Sequence, residues 1–211
     1  MAENIGDVPE IVVRRLPLYA RALHWLVQDN VATVSSSELG DKLGMSSAQI
    51  RKDLSYFGGF GKQGTGYNVK FLLSQLQQIL GMQKEWLVAL VGVGDLGHAI
   101  ARYNGFGRRG FKIAALFDAD PKKIGQQVGE LQILSTEALP MVVRGLRIRL
   151  GIVAVPAGAA QTVVDQMASA GIRAILSYAP INLRAPKDVR LRNIDPVVML
   201  QSMTYHLKDV T

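Results

Sequence analysis

The chain has 211 residues, of which 48% are hydrophobic and 19% charged, and it contains no cysteine. That composition excludes a disordered chain, and the lack of thiols excludes disulfides, cysteine-based metal sites and a thiol redox switch. Lys+Arg 24 against Asp+Glu 17 gives a formal net charge of +7, which invites a polyanionic partner.

Glu3, Asp7, Glu10, Arg14 and Arg15 break up the first residues, so no secretory leader is expected. The apolar stretch at 87–93 is too short to span a bilayer, and the expectation is a soluble cytoplasmic protein with no membrane partner. Three parts are expected: a DNA-binding domain at 1–83, a nucleotide-binding domain at 84–194, and a terminal helix at 195–211.

In the first part, Leu16, Tyr19, Leu23 and Leu26 recur at helical spacing, which predicts a helix over 14–27 with Pro17 in its first turn. Ser35 with Glu38 three residues on opens a second helix as a capping box, and Gly44 closes it. Ser46 with Gln49 opens a third helix, which runs to Phe57. Two short helices joined by a tight glycine-containing turn form a helix-turn-helix pattern. Ile50, Leu54 and Phe57 should face inward, leaving Ala48, Lys52, Ser55 and Tyr56 outward. The third helix would then read bases from its N-terminal half, with Gln49 suited to adenine and Arg51 or Lys52 to guanine or phosphate.

Five glycines fall among residues 58–66. Gly59, Gly61 and Gly64 match a dinucleotide fingerprint in spacing only, because they follow a helix rather than a strand. They suit a tight hairpin instead, a wing that lays Lys62 and Gln63 near the DNA backbone. The candidate DNA-contacting residues are Ser47, Gln49, Arg51, Lys52, Tyr56, Lys62 and Gln63. A helix over 69–80 follows, with Gly81 positioned to end it.

The second part opens with an apolar strand at 87–91. Gly92-Val93-Gly94-Asp95-Leu96-Gly97 follows at once and leads into a helix with Leu96, Ala99, Ile100 and Tyr103 on one face. A second strand ends at Asp118, 21 positions after Gly97. Strand, glycine loop, helix, strand and acid in register make the Rossmann fingerprint of a doubly wound parallel α/β sheet. The pyrophosphate rests on the helix N-terminus, and Asp118 binds the adenosine ribose hydroxyls and disfavours a 2′-phosphate. Further strands at 150–155 and 173–178 enclose a helix carrying Ala159, Val163, Met167 and Ala170. Their carboxyl ends, including Pro156, lie where ligands bind such sheets. Asp195 caps the terminal helix, with Pro196 first and Met199, Leu200, Met203 and Leu207 requiring an apolar partner surface.

A dehydrogenase needs a proton donor or acceptor at the nicotinamide and room for a substrate domain. The three histidines, His24, His98 and His206, stand in helices away from the strand ends, and no metal or catalytic set is expected. The charge is also uneven: residues 1–80 hold 8 bases and 7 acids, and residues 81–211 hold 16 and 10. Competing readings are an NAD-dependent dehydrogenase, or a DNA-binding regulator that senses another nucleotide such as a CoA-type ligand.

The run from Ser46 to Gly58, with Gln49-Ile50-Arg51-Lys52-Asp53-Leu54-Ser55-Tyr56-Phe57-Gly58 at its centre, resembles the Rex family of redox-sensing transcriptional repressors, as do the wing ending in 64–69 and the fingerprint at Gly92. The resemblance extends through Phe117-Asp118-Ala119-Asp120-Pro121 to the terminal helix. It implies a winged helix-turn-helix joined to a Rossmann domain, and a homodimer that swaps its terminal helix across the interface. It also implies repression at a palindromic operator, release by NADH, and competition by NAD+. Gln63 stands where the family usually has arginine, Ser177-Tyr178 replaces Asn-Phe, and Pro196 replaces an apolar residue. Within this picture Tyr103 and the 155–157 loop with Pro156 are expected to sense the nicotinamide, and Arg15 and Asp195 to couple it to the DNA-binding part.

Overall fold

A computed structural model describes residues 8–62 and 65–207, apart from the Lys62 side chain. Gln63 and the Lys62 side chain, both expected in the wing, lie outside the described parts. The chain forms two compact units, Met1–Lys84 and Glu85–Thr211.

The first unit runs α1 (Glu10–Gln28), β1 (Thr33–Val34), α2 (Ser36–Leu43), α3 (Ser47–Ser55), β2 (Gly61–Lys62), β3 (Gly66–Asn68) and α4 (Val69–Ile79). Helix α1 starts earlier than 14, because Val12 extends the buried stripe of Leu16, Tyr19, Leu23 and Leu26 by a turn. Pro17 therefore lies inside the helix and not in its first turn. The bond it cannot make would go to the Val13 carbonyl, and Val13 is on the exposed side, where water can take it.

Helix α2 is closed at both ends as its sequence requires. Ser35 Oγ accepts from the Glu38 amide at 3.1 Å, Glu38 accepts from the Ser35 amide at 2.7 Å, and Gly44 caps the far end at φ 64°. The turn into α3 is close enough that a Cβ on Gly40 would lie 2.4 Å from the Met45 carbonyl oxygen. Only glycine admits that approach. Ile50 and Leu54 pack into a core with Leu39, Leu72 and Leu76, each worth about 1.5–3 kcal/mol over an exposed site. Phe57 is only partly buried, and Asp53 takes the remaining inward position. Strands β2 and β3 form an antiparallel hairpin, and β3 also pairs with β1, giving a three-stranded sheet.

The second unit runs β4 (Trp86–Val91), α5 (Asp95–Arg102), β5 (Phe111–Asp118), β6 (Gln127–Val128), β7 (Leu131–Ser135), α6 (Leu139–Gly145), β8 (Leu150–Val153), α7 (Ala157–Ala170), β9 (Ala174–Ser177), β10 (Arg190–Asn193) and α8 (Pro196–Thr204). The sheet order is β10-β9-β8-β4-β5-β7-β6, parallel throughout except for the antiparallel edge pair β6 and β7. The order reverses between β4 and β8. That is the crevice where doubly wound sheets bind ligands.

Three local expectations need correction. Helix α5 turns Gly97 and Ile100 to the sheet and leaves Leu96, Ala99 and Tyr103 exposed, because Gly97 must press against the glycine loop. Strand β8 stops at Val153, and in α7 the buried small residue is Ala160, not Ala159. Helix α8 ends at Thr204, with Tyr205–Leu207 continuing as a 3-10 turn, and Val197, Val198, Met199, Leu200 and Met203 stay exposed. Among the described residues no helix is long and apolar enough to cross a membrane.

Candidate nucleic-acid interface and nucleotide cleft

On α3 the outward set is Ala48, Arg51, Lys52, Ser55 and Tyr56, with Ser47 and Gln49 half-buried at the helix start. Ser46 Oγ caps the helix by accepting from the Gln49 amide at 3.2 Å. Arg51 donates to Ser36 Oγ at 2.9 Å, which ties the side chain to α2. Lys52 and Tyr56 point away from the core.

Beneath this surface lies a charge cluster that the sequence pattern does not reveal. Asp53 is fully buried, and all its acceptor sites are taken. Oδ1 accepts from Arg15 Nη2 at 2.8 Å and Gln49 Nε2 at 2.7 Å; Oδ2 accepts from Arg15 Nε and the Tyr19 hydroxyl, each at 2.5 Å. Burial pushes the Asp53 carboxyl up, but Arg15, Tyr19 and Gln49 outweigh it and hold the carboxyl below the ordinary range. Burial and the same carboxylate push the Tyr19 phenol well above its ordinary value. An ionised carboxylate only accepts hydrogen bonds, so Gln49 must turn its amino end inward. Its carbonyl and second N–H are left outward, the donor–acceptor pair that adenine requires.

In the second unit the glycine loop separates three roles. Gly92 has φ 96°, and a Cβ there would lie 2.5 Å from the Ala154 carbonyl oxygen. A Cβ on Gly97 would lie 2.0 Å from the Gly92 oxygen. Packing explains both. Gly94 differs: it caps α5 in an ordinary extended conformation, and a Cβ there would meet nothing within 4 Å. The fold itself has no need of glycine at 94, whereas a diphosphate approaching the α5 N-terminus does.

That loop forms one wall of a cleft of about 520 Å³ at the carboxyl edge of the sheet. The cleft brings together Gly92, Gly94, Asp95, Leu96, Asp118 and Pro156. Val93 is fully buried, and Tyr103 is not on the cleft's wall; it is exposed at the end of α5, edge-on to Phe106 with ring centres 5.3 Å apart. Asp118 accepts from the Val93 amide at 2.8 Å, the Asp120 amide at 2.9 Å and Lys123 Nζ at 3.1 Å. Burial raises the Asp118 carboxyl, the two amides and the Lys123 ammonium outweigh that, and the group titrates below the ordinary range. Oδ1 carries a single bond, so it has room for a ribose hydroxyl. The residues therefore fit a dinucleotide.

Lys123 and Thr136 also line the cleft and are absent from the sequence-derived set. Lys123 stands five residues beyond the acid that ends β5, and that spacing is its only signal. The two coupling candidates have local partners: Arg15 pairs with Asp53, and Asp195 caps α8 by accepting from the Val197 and Val198 amides at 2.9 and 3.4 Å.

Comparison with known proteins places both units. A family described as "Putative DNA-binding protein N-terminus" matches residues 7–55, and one described as "CoA binding domain" matches residues 83–181. A redox-sensing transcriptional repressor Rex from Roseiflexus sp. (strain RS-1) is 55% identical over 97% of this chain and 93% of its own length. The crystal structure of RSP in complex with NAD+ and operator DNA is similar at a TM-score of 0.91 and 38% identity, covering 97% of this chain and 94% of that one. The structure of RSP with NADH matches at 0.86 and 36%, covering 97% and 96%. The relatives are named as regulators rather than enzymes, and the chain belongs to the Rex family of redox-sensing transcriptional repressors.

Proposed function

We propose that the chain represses transcription from double-stranded operator DNA in the cytoplasm and releases that DNA when NADH occupies the cleft between β4 and β8, with NAD+ competing. The observation that carries this reading is the open space over Gly94 at the N-terminus of α5, beside a carboxylate with one acceptor site to spare. The nicotinamide supplies the redox signal: its two states differ by a charge and a hydride, so the groups at the ring end of the cleft must tell them apart. Val155, Pro156 and Tyr178 line the cleft on the β8 and β9 side and are the candidates.

On the DNA side, α3 serves as the recognition helix of a winged helix-turn-helix, with Ser47, Gln49, Arg51, Lys52 and Tyr56 facing the duplex and Lys62 and Gln63 in the wing. A palindromic operator requires two copies, and the exposed apolar residues of α8 supply a homodimer contact. Ligand binding then favours one dimer geometry over another, and half-sites about 34–36 Å apart tolerate little misalignment. Arg15 and Asp195 are the coupling candidates.

The description of the matched domain as CoA-binding supports a second reading, a repressor that responds to CoA. Gel shifts on operator DNA at fixed salt, titrated with NADH, NAD+ and CoA, separate the two. NADH should dissociate the complex, NAD+ should oppose NADH, and CoA should do neither. A complex indifferent to NADH and dissolved by CoA would replace this function with the second.

A further inference from the structure

The second unit holds most of the net positive charge, and the topology shows where part of it lies. In a parallel sheet the ligand cleft occupies the carboxyl edge; the amino edge is a strand length away, about 20 Å for the six residues of β4. Charges at the amino edge therefore cannot serve a dinucleotide in the cleft. Yet Arg149 immediately precedes β8, Arg173 immediately precedes β9, and Arg190 opens β10. Backbone bonds from Arg173 N to Arg149 O and from Arg190 N to Arg173 O, at 2.9 and 2.8 Å, place the three on adjacent strands. On the other side of β4, Arg108 and Arg109 lead into β5, where Lys112 pairs with Leu87.

Arg147 completes the row in a conformation that costs energy. It follows α6 with φ 54°, the left-handed region that favours glycine, and it is exposed. Helix ends account for some of these cations: Arg149 donates to the Gly171 carbonyl, Arg109 to the Gly105 carbonyl, and Arg173 pairs with Asp188 at 3.3 Å. Arg108, Lys112, Arg147 and Arg190 are exposed and have no acidic partner among the described residues. The acids of this unit gather at the opposite edge, with Asp95 and Asp118 in the cleft. From β10 to β5 the amino edge is about 19 Å wide, the length of about five phosphates along one DNA strand.

We infer that the amino edge of the Rossmann sheet is a second, sequence-independent contact for duplex DNA, taking backbone phosphates outside the bases read by α3. DNA is the chosen partner because the chain arriving from the DNA-binding unit enters the sheet at this edge, at Trp86. A duplex held by one unit is at high effective concentration for a surface tethered to it, so weak phosphate contacts suffice. The inference rests on the DNA-binding function proposed above.

The test uses the full chain carrying R108Q, K112Q, R147Q and R190Q together. Affinity and its salt dependence are measured on an operator core of about 20 base pairs, two turns of duplex, and on the same core with long flanks. On the flanked duplex the variant should lose about tenfold in affinity at moderate salt, and its log–log salt slope should fall by about 3, near 0.9 per lost phosphate contact. On the core alone, and in its response to NADH, it should match the parent. R147G alone should also weaken binding to the flanked duplex without lowering Tm, since glycine is at ease at that φ; a purely structural role for the arginine predicts no effect on DNA. Equal affinities and slopes for variant and parent on both duplexes overturn the inference, as does equal loss on both. So does a defect confined to binding an acidic polypeptide such as polyglutamate, which would make the edge a protein contact. Failure of the parent to bind either duplex would instead sink the DNA-binding function itself.

Discussion

Each unit contains a buried aspartate held in its charged form, and the two differ in one respect. Asp53 has four hydrogen bonds on its two oxygens, all from the side chains Arg15, Tyr19 and Gln49. Asp118 has three, two of them from backbone amides, and it opens onto a cleft. A carboxylate offers about four acceptor sites. The saturated one joins α1 to α3 and sets the orientation of Gln49; the unsaturated one keeps a place for a ligand. Burial alone does not separate a structural carboxylate from a binding one, but the count of satisfied lone pairs does.

The largest effect should follow from breaking the saturated site. Asp53→Ala strands Arg15 and removes the join between α1 and the recognition helix, at a cost of about 3 kcal/mol, the lower end for a broken buried pair because Arg15 is partly exposed. Urea unfolding measures it. A loss below about 1 kcal/mol would mean that apolar packing alone positions α3.

Acid should act on both sites in the same direction. Each carboxyl has a folded pKa below its unfolded value, near 3.9. Each therefore contributes stability that is complete above about pH 5 and is lost as pH falls below 4 through the folded value. Asp53→Asn should flatten that acid limb, read by tryptophan fluorescence across the titration. An unchanged limb would show that Asp53 is not held in its charged form.

Asp118→Ala sharpens the contrast. It removes the acceptor for the Val93 and Asp120 amides, a loss of about 1–2 kcal/mol. It should weaken NADH about tenfold or more while leaving operator binding without NADH intact. If both are lost, Asp118 serves folding as Asp53 does, and the distinction between them fails.

The sequence pattern made these two sites unequally legible. Asp118 follows an apolar strand at a fixed distance from Gly92-Val93-Gly94-Asp95-Leu96-Gly97, so local order announces it. Asp53 stands between Lys52 and Leu54 and looks like part of a polar face; its partner Arg15 is 38 residues away, a pairing that no local rule encodes. Periodicity misled at α5, where Leu96, Ala99 and Tyr103 have helical spacing but the small Gly97 faces the sheet because contact there is closest. Strand β10, Arg190–Asn193, has no apolar run because it is an edge strand with mostly exposed residues. The helix caps at Ser35, Ser46 and Asp195 were legible because each lies within three residues of the amides it binds.

The smallest effect on stability tests the ligand side most cleanly. Gly94→Ala places a methyl group where nothing lies within 4 Å, at a backbone conformation open to any residue, so stability should change by no more than about 0.5 kcal/mol. Gly97→Ala, by comparison, drives a Cβ to 2.0 Å from the Gly92 oxygen and should cost about 1–3 kcal/mol as the loop and helix separate. If the space over Gly94 exists for a diphosphate, Gly94→Ala should weaken NADH severalfold in a fluorescence titration, with Tm unchanged. The methyl group would stand between the ligand and the amides at the start of α5, and it has no other atoms to disturb. Full NADH affinity in Gly94→Ala would place the diphosphate elsewhere in the cleft and leave that glycine without a function.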